Sequence, residues 1–361
     1  MIHLNDVRSY NSQYEAGFVE DTLSVLRSGQ YILGPAVKEF EEKVAGYIGV
    51  SHCAGVSSGT SALEVMFECL NLTENDDIVI QANAYIACAF GAIRSKASLR
   101  IIDCEPDGTF SIDNLVNAIT PKTRAVLVVH LYGDCCDMER LADVCSTRNI
   151  LLVEDCAQSF GSEYVGKKLG SFGYASCHSF YPTKNLGALG DAGAICTNDP
   201  VLFERILKVR NLGSTKKYYH SVMGTNARLD TLQASYLLRK FPDLDRSIDA
   251  KRQIASVYQT ELNATHLKNP DPRVKSSYHL YVIVVKNRDR FIDYMKMNDI
   301  ETIIHYPIPF YKSEAFSHYN QLAFPNAELL SHIIVSIPIH PLLTGDQVRK
   351  IVLKTNEFVI Q

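Results

Sequence analysis

The chain has 361 residues, which corresponds to about two domains at roughly 150 residues each. It is 46% hydrophobic and 21% charged, as is typical of a globular protein, and 36 Lys+Arg against 40 Asp+Glu give a net charge of -4. This balance argues against a sequence-independent nucleic-acid-binding protein. Since the chain has no long apolar run, and its start lacks the basic and apolar segments of a signal peptide, we expect a cytoplasmic protein that binds neither nucleic acid nor membrane.

Ten cysteines are spread between Cys53 and Cys196, and no two of them stand at the C-x-x-C spacing of a zinc or redox site. Several lie in or beside apolar runs, where a thiol behaves as a small hydrophobic side chain. We therefore expect the cysteines to be reduced and structural, and we expect no metal site.

The first two-thirds of the chain alternates short β-type runs with helical patterns such as 61–70 and 138–146. The run 125–129 is continuously apolar, as expected of a strand that is covered on both faces in a mostly parallel sheet. This alternation predicts a large α/β domain over residues 1–235. The predicted strands are 78–80, 99–102, 125–129, 150–153, 175–180 and 193–197.

The pattern changes after Asp230, where long amphipathic helices replace the alternation of strands and helices. Later segments read as one β-type run and two further helices, which predicts a smaller α+β domain over residues 236–361. The predicted helices are 231–239, 248–262, 290–298 and 345–357, and the β-type run is 280–285.

Polar and aromatic residues follow several of the predicted strands. In an open α/β sheet, ligands bind beyond the carboxyl ends of the parallel strands, so these residues are expected to share one site. They are Tyr85, Asp155, Gln158, Ser179 and Lys184.

The segment 57–61 (SSGTS) precedes an apolar helical pattern and predicts a phosphate cradle built from free backbone N–H groups. A capping box over Ser61–Glu64 explains the same residues, and the two interpretations are compatible. No Gly-Lys-Ser/Thr follows, so the segment is not a Walker A loop. The first strand also lacks a G-x-G-x-x-G sequence, which argues against a nicotinamide-dependent oxidoreductase.

Lys184 follows a predicted strand and lies between Pro182 and a glycine-rich run. A lysine held in such a turn can lose solvation and become a Schiff-base nucleophile. Asp155, at the end of a buried strand, requires a partner, because burying an unpaired carboxylate is costly. A protonated pyridine nitrogen is one such partner, and capping of the following turn is the alternative.

Several segments together resemble the nucleotide-sugar aminotransferases of the DegT/StrS type, which depend on pyridoxal 5'-phosphate (PLP) and have the aspartate aminotransferase fold (fold type I). The resemblance extends in order over nearly the whole chain. It rests on the segments 58–63, 84–87, 153–161, 179–187, 190–193, 224–230 and 305–309.

The resemblance implies a role for each residue that matches a family motif. Lys184 would form the Schiff base with PLP, Asp155 would pair with the pyridine nitrogen, and Gln158 would bind near the ring hydroxyl. Tyr85 would stack on the ring, with Ala157 on the opposite face.

The phosphate of PLP would be held by Gly59, Thr60, Ser61 and Ser179. Asn226 would reach the phosphate of the neighbouring subunit, so the resemblance also implies a homodimer with shared active sites.

Other residues match positions near the sugar substrate, namely Tyr181, His305 and Tyr306. For His305 a structural histidine is an equal alternative. Three further histidines are expected to be structural, and they are His130, His178 and His340.

The implied reaction moves an amino group from L-glutamate to a nucleotide-linked keto-6-deoxy sugar, with pyridoxamine phosphate as intermediate. The segments 216–219 and 302–309 are similar to the branch that converts dTDP-3-keto-6-deoxyhexose to dTDP-3-amino-3,6-dideoxyhexose, in deoxysugar biosynthesis for surface polysaccharides such as O-antigen. The segment 310–312 (FYK) departs from that branch, so a 4-keto-6-deoxy sugar is the alternative.

Two further functions are compatible with this fold. PLP-dependent sugar dehydratases carry histidine in place of the Schiff-base lysine, so Lys184 argues against one. A non-catalytic regulatory protein is disfavoured because Lys184, Asp155 and Gln158 are all present.

Overall fold

Seven strands form the central sheet in a computed structural model that describes residues 1–268 and 270–360. The first nine strands in chain order are β1 (His52–Val56), β2 (Asp77–Gln81), β3 (Ser98–Ile102), β4 (Thr123–Val129), β5 (Leu151–Asp155), β6 (Glu163–Tyr164), β7 (Lys167–Lys168), β8 (Ala175–Ser179) and β9 (Gly193–Thr197). The spatial order of the central sheet is β1-β9-β8-β5-β4-β2-β3, and β6 and β7 form a separate hairpin.

The sheet is mostly parallel, as predicted, because only β9 runs antiparallel to its neighbours β8 and β1. All six predicted strands are present, and β1 completes the sheet at one edge. The sheet therefore places the carboxyl ends of β4, β5 and β8 side by side.

Helices cover both faces of the sheet, which explains the continuously apolar run in β4. In chain order the helices are α1 (Val7–Ser12), α2 (Glu15–Ser28), α3 (Pro35–Ile48), α4 (Gly59–Cys69), α5 (Ile86–Ile93), α6 (Ile112–Ala118), α7 (Met138–Ser146), α8 (Pro200–Val209), α9 (Thr231–Lys240), α10 (Leu244–Glu261), α11 (Arg288–Met297), α12 (Pro325–Ile333) and α13 (Gly345–Ile360). Ala125 and Leu127 pack on the side of α4 and α5, whereas Val126 and Val128 pack on the side of α6 and α7.

The C-terminal third has its own antiparallel sheet and its own core. The remaining strands are β10 (Ser214–Lys216), β11 (Tyr219–His220), β12 (Thr265–His266), β13 (Val274–Lys275), β14 (Tyr281–Val284) and β15 (Ile334–Ile337). Strands β12, β14 and β15 form the sheet, and its core includes Ile2, which bridges to Ile300. The domain boundary after residue 235 stays a prediction, and it falls inside α9.

Nine of the ten cysteines are buried, and all ten are free thiols. In the described part of the chain, no helix combines the length and the apolar composition that crossing a bilayer requires.

Glu154 in β5 is fully buried and connects the sheet to the turn that leads into β8. His130 Nε2 donates a hydrogen bond to it at 3.0 Å, and three backbone N–H groups donate at 2.8 Å. Burial opposes ionisation, but these bonds outweigh it and lower the pKa of the Glu154 carboxyl. Cys156 lies within 4.8 Å of the same atoms, yet four donors already bind the carboxylate, so we interpret the cluster as structural. The three backbone donors are Gly170, Phe172 and Gly173.

We predict that Glu154→Gln lowers the free energy of unfolding by about 3 kcal/mol at pH 7, because the new amide N–H group would face buried donors. Since the folded pKa is lowered, this contribution is present above the unfolded value of about 4.3 and is lost as pH falls through the folded pKa. Urea unfolding between pH 7 and pH 3 measures it.

The control for this experiment is Glu42→Gln on the exposed face of α3, which should change stability by less than about 0.5 kcal/mol. Equal stability of Glu154→Gln and the unmodified protein at pH 7 would contradict the prediction.

Candidate active site

A cavity of about 410 Å³ opens at the carboxyl ends of the parallel strands. It brings together eleven of the residues named in the sequence analysis, from segments that are far apart in sequence, and all five strand-end residues are among them. They are Gly59, Thr60, Tyr85, Asp155, Ala157, Gln158, Ser179, Tyr181, Lys184, His305 and Tyr306.

The cavity meets the first turn of α4. Ser58 is the N-cap, and its Oγ accepts a hydrogen bond from the N–H of Ser61 at 3.0 Å. The predicted capping box at Ser61 is therefore wrong, because the helix begins three residues earlier and Glu64 instead pairs with Arg94. At the start of this helix, the first two N–H groups have no intrahelical acceptor, which leaves them for an anion.

The backbone at Gly59 approaches β8 so closely that a side chain does not fit there. A Cβ atom on Gly59 would lie 2.6 Å from the Cβ of Ser179, far inside contact distance. The glycine thus brings an N–H-rich helix start against the Ser179 hydroxyl. This cradle fits the phosphate group of PLP.

Asp155 is the last residue of β5, and its side chain is buried at the floor of the cavity. Its Oδ1 accepts the Ala157 N–H at 2.9 Å, and its Oδ2 accepts the Cys88 thiol at 2.9 Å. Burial, together with the Asp155 charge, raises the pKa of Cys88 well above its usual value, so this partner stays a neutral thiol. A thiol is a weak donor, and a protonated pyridine nitrogen would serve this carboxylate better.

Lys184 follows β8 in a turn in which its N–H donates to the Tyr181 carbonyl at 2.8 Å. Burial lowers the pKa of the Lys184 amine to about 8, and the Asp155 carboxylate opposes a further fall. A substantial fraction of the amine is therefore neutral near physiological pH, which is the nucleophilic form.

Gln158 and Tyr306 meet across the cavity. The Gln158 Nε2 donates to the Tyr306 hydroxyl at 2.8 Å, and the ring of Tyr306 lies 5.0 Å from that of Tyr85. Tyr306 thereby joins the residues predicted to surround the PLP ring, although its sequence position placed it near the sugar.

Two histidines from the C-terminal third reach the cavity. His305 Nδ1 shares a hydrogen bond of 2.9 Å with Ser336, and burial lowers its pKa to about 4, with Lys184 adding to the effect. His279, which the sequence analysis missed, is also buried, and burial together with Lys184 holds its pKa well below 6.5. Both imidazoles are therefore neutral at physiological pH. Among the described residues, the His279 Nδ1 finds no hydrogen-bond partner.

Two predicted residues lie outside this cavity. The Ser61 hydroxyl is bonded to the hydroxyls of Ser57 and Ser58, at 2.8 Å each. Asn226 is exposed, and its Oδ1 accepts a hydrogen bond from Arg228 at 2.6 Å. The proposed contact of Asn226 with a neighbouring subunit stays a prediction.

We predict that Gly59→Ala weakens PLP binding at least tenfold, because the added methyl group would push α4 away from Ser179. Equilibrium dialysis of the cofactor against both proteins measures the change. Gly46→Ala is the matched control, since it lies in α3 with no heavy atom within 4 Å of the new methyl group. Unchanged affinity in Gly59→Ala would contradict the cradle.

The lowered pKa of Lys184 predicts a pH dependence. The rate at which PLP attaches should rise with pH through a midpoint near 8, because the amine reacts in its neutral form. Asp155→Asn should move this midpoint to lower pH, since the Asp155 charge favours the protonated amine. Stopped-flow absorbance measures the rates.

Asp191→Asn serves as the control for this shift, because Asp191 also lines the cavity and should leave the midpoint in place. A midpoint near the ordinary lysine value of 10.5 would show that the amine is not desolvated.

Known proteins resemble this chain over nearly its whole length. The sequence profile of the DegT/DnrJ/EryC1/StrS aminotransferase family matches residues 13–355. A dTDP-3-amino-3,6-dideoxy-alpha-D-galactopyranose transaminase from Aneurinibacillus thermoaerophilus is 40% identical, with 99% of each chain covered. The erythromycin biosynthesis sensory transduction protein EryC1 from Saccharopolyspora erythraea is 39% identical over 89% of this chain and 90% of its own.

The crystal structure of S. venezuelae DesV superposes on this chain with a TM-score of 0.96, at 32% identity, covering 100% of this chain and 98% of DesV. This agreement confirms the predicted α/β fold class and the resemblance over the whole chain. The chain therefore belongs to the DegT/DnrJ/EryC1/StrS family of sugar aminotransferases, which use PLP as cofactor.

Proposed function

We propose that this protein transfers an amino group from L-glutamate to a nucleotide-linked keto-6-deoxy sugar, and that the sugar is a dTDP-3-keto-6-deoxyhexose. The observation that carries the proposal is the desolvated amine of Lys184 facing the buried carboxylate of Asp155 in one cavity. The choice of sugar is supported by the 40% identical transaminase, which is named for a dTDP-3-amino-3,6-dideoxyhexose.

Each residue contributes one task to this reaction. When bound, PLP supplies an electron-withdrawing ring that stabilises negative charge on the carbon bearing the amino group. Asp155 would keep the ring nitrogen protonated, and the N–H groups of Gly59 and Thr60 would hold the phosphate. Gln158 would donate to the ring oxygen with the second hydrogen of its Nε2.

Lys184 moves the proton that the reaction requires. Its amine, when neutral, would take a proton from the carbon of glutamate that bears the amino group. The same amine, once protonated, would return a proton to the sugar carbon, so one buried base would serve both half-reactions. Its pKa near 8 suits a group that must gain and lose a proton near neutral pH.

The C-terminal third supplies the sugar side of the cavity. The neutral imidazoles of His279 and His305 can accept hydrogen bonds from sugar hydroxyl groups without adding positive charge beside Lys184. Tyr181 stands at the mouth of the cavity and is 51% exposed.

A homodimer with shared active sites is part of the proposal. Tyr85 and Tyr181 both line the cavity, and about half of each residue's surface is exposed. A second copy of the chain would cover this exposed surface. Asn226, exposed and outside the cavity, is then available to the neighbouring site. We place the enzyme in the cytoplasm, in deoxysugar biosynthesis for a surface polysaccharide such as O-antigen.

A regulatory protein is a second candidate, because two relatives carry regulatory names. These are EryC1 and a pleiotropic regulatory protein from Geobacillus stearothermophilus, the latter 36% identical over 92% of this chain. Such a protein would require no reactive lysine, whereas the Lys184 amine is held in its reactive range.

The test is an absorbance spectrum of the PLP-loaded protein before and after L-glutamate. We expect the Schiff-base band to disappear on adding glutamate, and we expect Lys184→Ala to lack this band because it has no amine at that position to form the Schiff base. Lys38→Ala, on the exposed face of α3, should behave like the unmodified protein. No response in the unmodified protein would favour the regulatory candidate.

The sugar is tested next with the amino form of the enzyme, prepared with glutamate and freed of it. Mass spectrometry should detect the amino sugar after mixing with a dTDP-3-keto-6-deoxyhexose. Turnover of the 4-keto isomer alone would overturn the proposed substrate while leaving the aminotransferase activity intact.

A further inference from the structure

Tyr132, which follows β4, has an unusual backbone conformation. Its φ of 65° and ψ of 0° lie in the left-handed region, which is costly for a residue with a side chain. A glycine would adopt this conformation freely, as the next residue, Gly133, does with a φ of 99°. Both the backbone and the side chain of Tyr132 make hydrogen bonds, and these bonds lie at the candidate active site.

The backbone N–H of Tyr132 donates to the Gln158 Oε1 at 2.7 Å. Its hydroxyl donates to the backbone carbonyl of His305 at 2.5 Å. Gln158 in turn donates from Nε2 to the hydroxyl of Tyr306, the residue after His305, at 2.8 Å. These three hydrogen bonds link Tyr132, Gln158, Tyr306 and the His305 carbonyl into one closed network, which we call the Tyr132 network.

The Tyr132 network fixes the orientation of the Gln158 amide. Because Oε1 accepts from a backbone N–H, the other end of the amide must be the nitrogen, and it points toward Tyr306. A flipped amide would place two donors against each other at Tyr132. The second hydrogen on Nε2 is then available to the PLP ring oxygen.

The same turn also fastens the segment that carries His279. Ser276 Oγ donates to the Gly133 carbonyl at 2.9 Å, and the Leu280 N–H donates to the Tyr132 carbonyl at 3.3 Å. The contacts at residues 132–133 therefore hold Gln158, which follows β5, and two segments of the C-terminal third.

We propose that Tyr132 is a positioning residue that fixes the Gln158 amide and the His305–Tyr306 segment relative to each other, so that the cofactor side and the sugar side of the cavity act as one unit. This inference rests on the proposed function. It adds a residue that contacts neither the reacting lysine nor Asp155 through any hydrogen bond within the described residues.

A double-mutant cycle tests the proposal, with the dissociation constant of PLP, titrated into cofactor-free protein, as the readout. Tyr132→Phe removes the hydroxyl bond to His305, and Tyr306→Phe removes the acceptor of Gln158. Each should weaken PLP binding about threefold to tenfold. The double variant should bind PLP no more weakly than the weaker-binding single variant, because either change alone opens the Tyr132 network. This result corresponds to a coupling of at least about threefold.

Tyr258→Phe is the matched control. Its buried hydroxyl also donates to a backbone carbonyl, that of Pro338, at 2.8 Å, but in the core of the C-terminal third. Alone it should leave the dissociation constant within about twofold, and combined with Tyr306→Phe its effect should simply multiply. A general loss of packing would make Tyr132→Phe behave in the same way.

Multiplying effects in the Tyr132–Tyr306 cycle, or unchanged binding in Tyr132→Phe, would overturn the proposal while leaving the proposed function standing. If the unmodified protein does not bind PLP, both are overturned together. Should Tyr132→Phe not yield folded protein, Gln158→Ala replaces it in the cycle with Tyr306→Phe. Coupling is then expected for the same reason, and multiplying effects would again contradict the proposed Tyr132 network.

Discussion

A lysine amine and a carboxylate that share one cavity are the constraint on which the remaining structure depends. Burial pushes the Lys184 amine toward its neutral form, while Asp155 holds it back, and the resulting pKa near 8 allows proton transfer in both directions. Both side chains must therefore be held in fixed positions that are shielded from bulk water. The neighbouring residues of β5 and β8 are arranged accordingly.

Strand β5 serves this purpose with two adjacent carboxylates on opposite faces of the sheet. Asp155 faces the cavity, and Glu154 faces the other side, where it binds the turn that leads into β8 and so toward Lys184. Strand β5 thus positions Asp155 directly, and it positions Lys184 indirectly through the contacts of Glu154 with the turn before β8. Burial of Glu154 is tolerated because every donor around it is satisfied by the same carboxylate.

Desolvation alone does not make a reactive lysine in this chain. Burial also lowers the pKa of Lys240 to about 8 and that of Lys251 to about 7. However, the Lys240 amine donates to the Gly187 carbonyl at 2.6 Å, and the Lys251 amine donates to Asn185 at 2.6 Å. Neither residue lines the cavity, so Lys184 is distinguished by its access to a ligand as well as by its pKa.

The sequence predicted the features that depend on local pattern. Continuous apolar runs identified the parallel strands, and polar or aromatic residues at strand ends identified five residues that line the cavity. The cap of α4 was misplaced because Ser58 and Ser61 both precede helical sequence. Tyr132 and His279 could not be found, since their roles come from contacts between segments more than a hundred residues apart.

The most direct test of the proposed active site is the identity of the lysine that carries PLP. Reduction of the loaded protein with borohydride makes the linkage permanent, and peptide mass mapping then locates it. The label is expected on Lys184 alone, because its amine is both desolvated and open to the cavity. A label on Lys240 or Lys251 instead would contradict the assignment of this cavity as the active site.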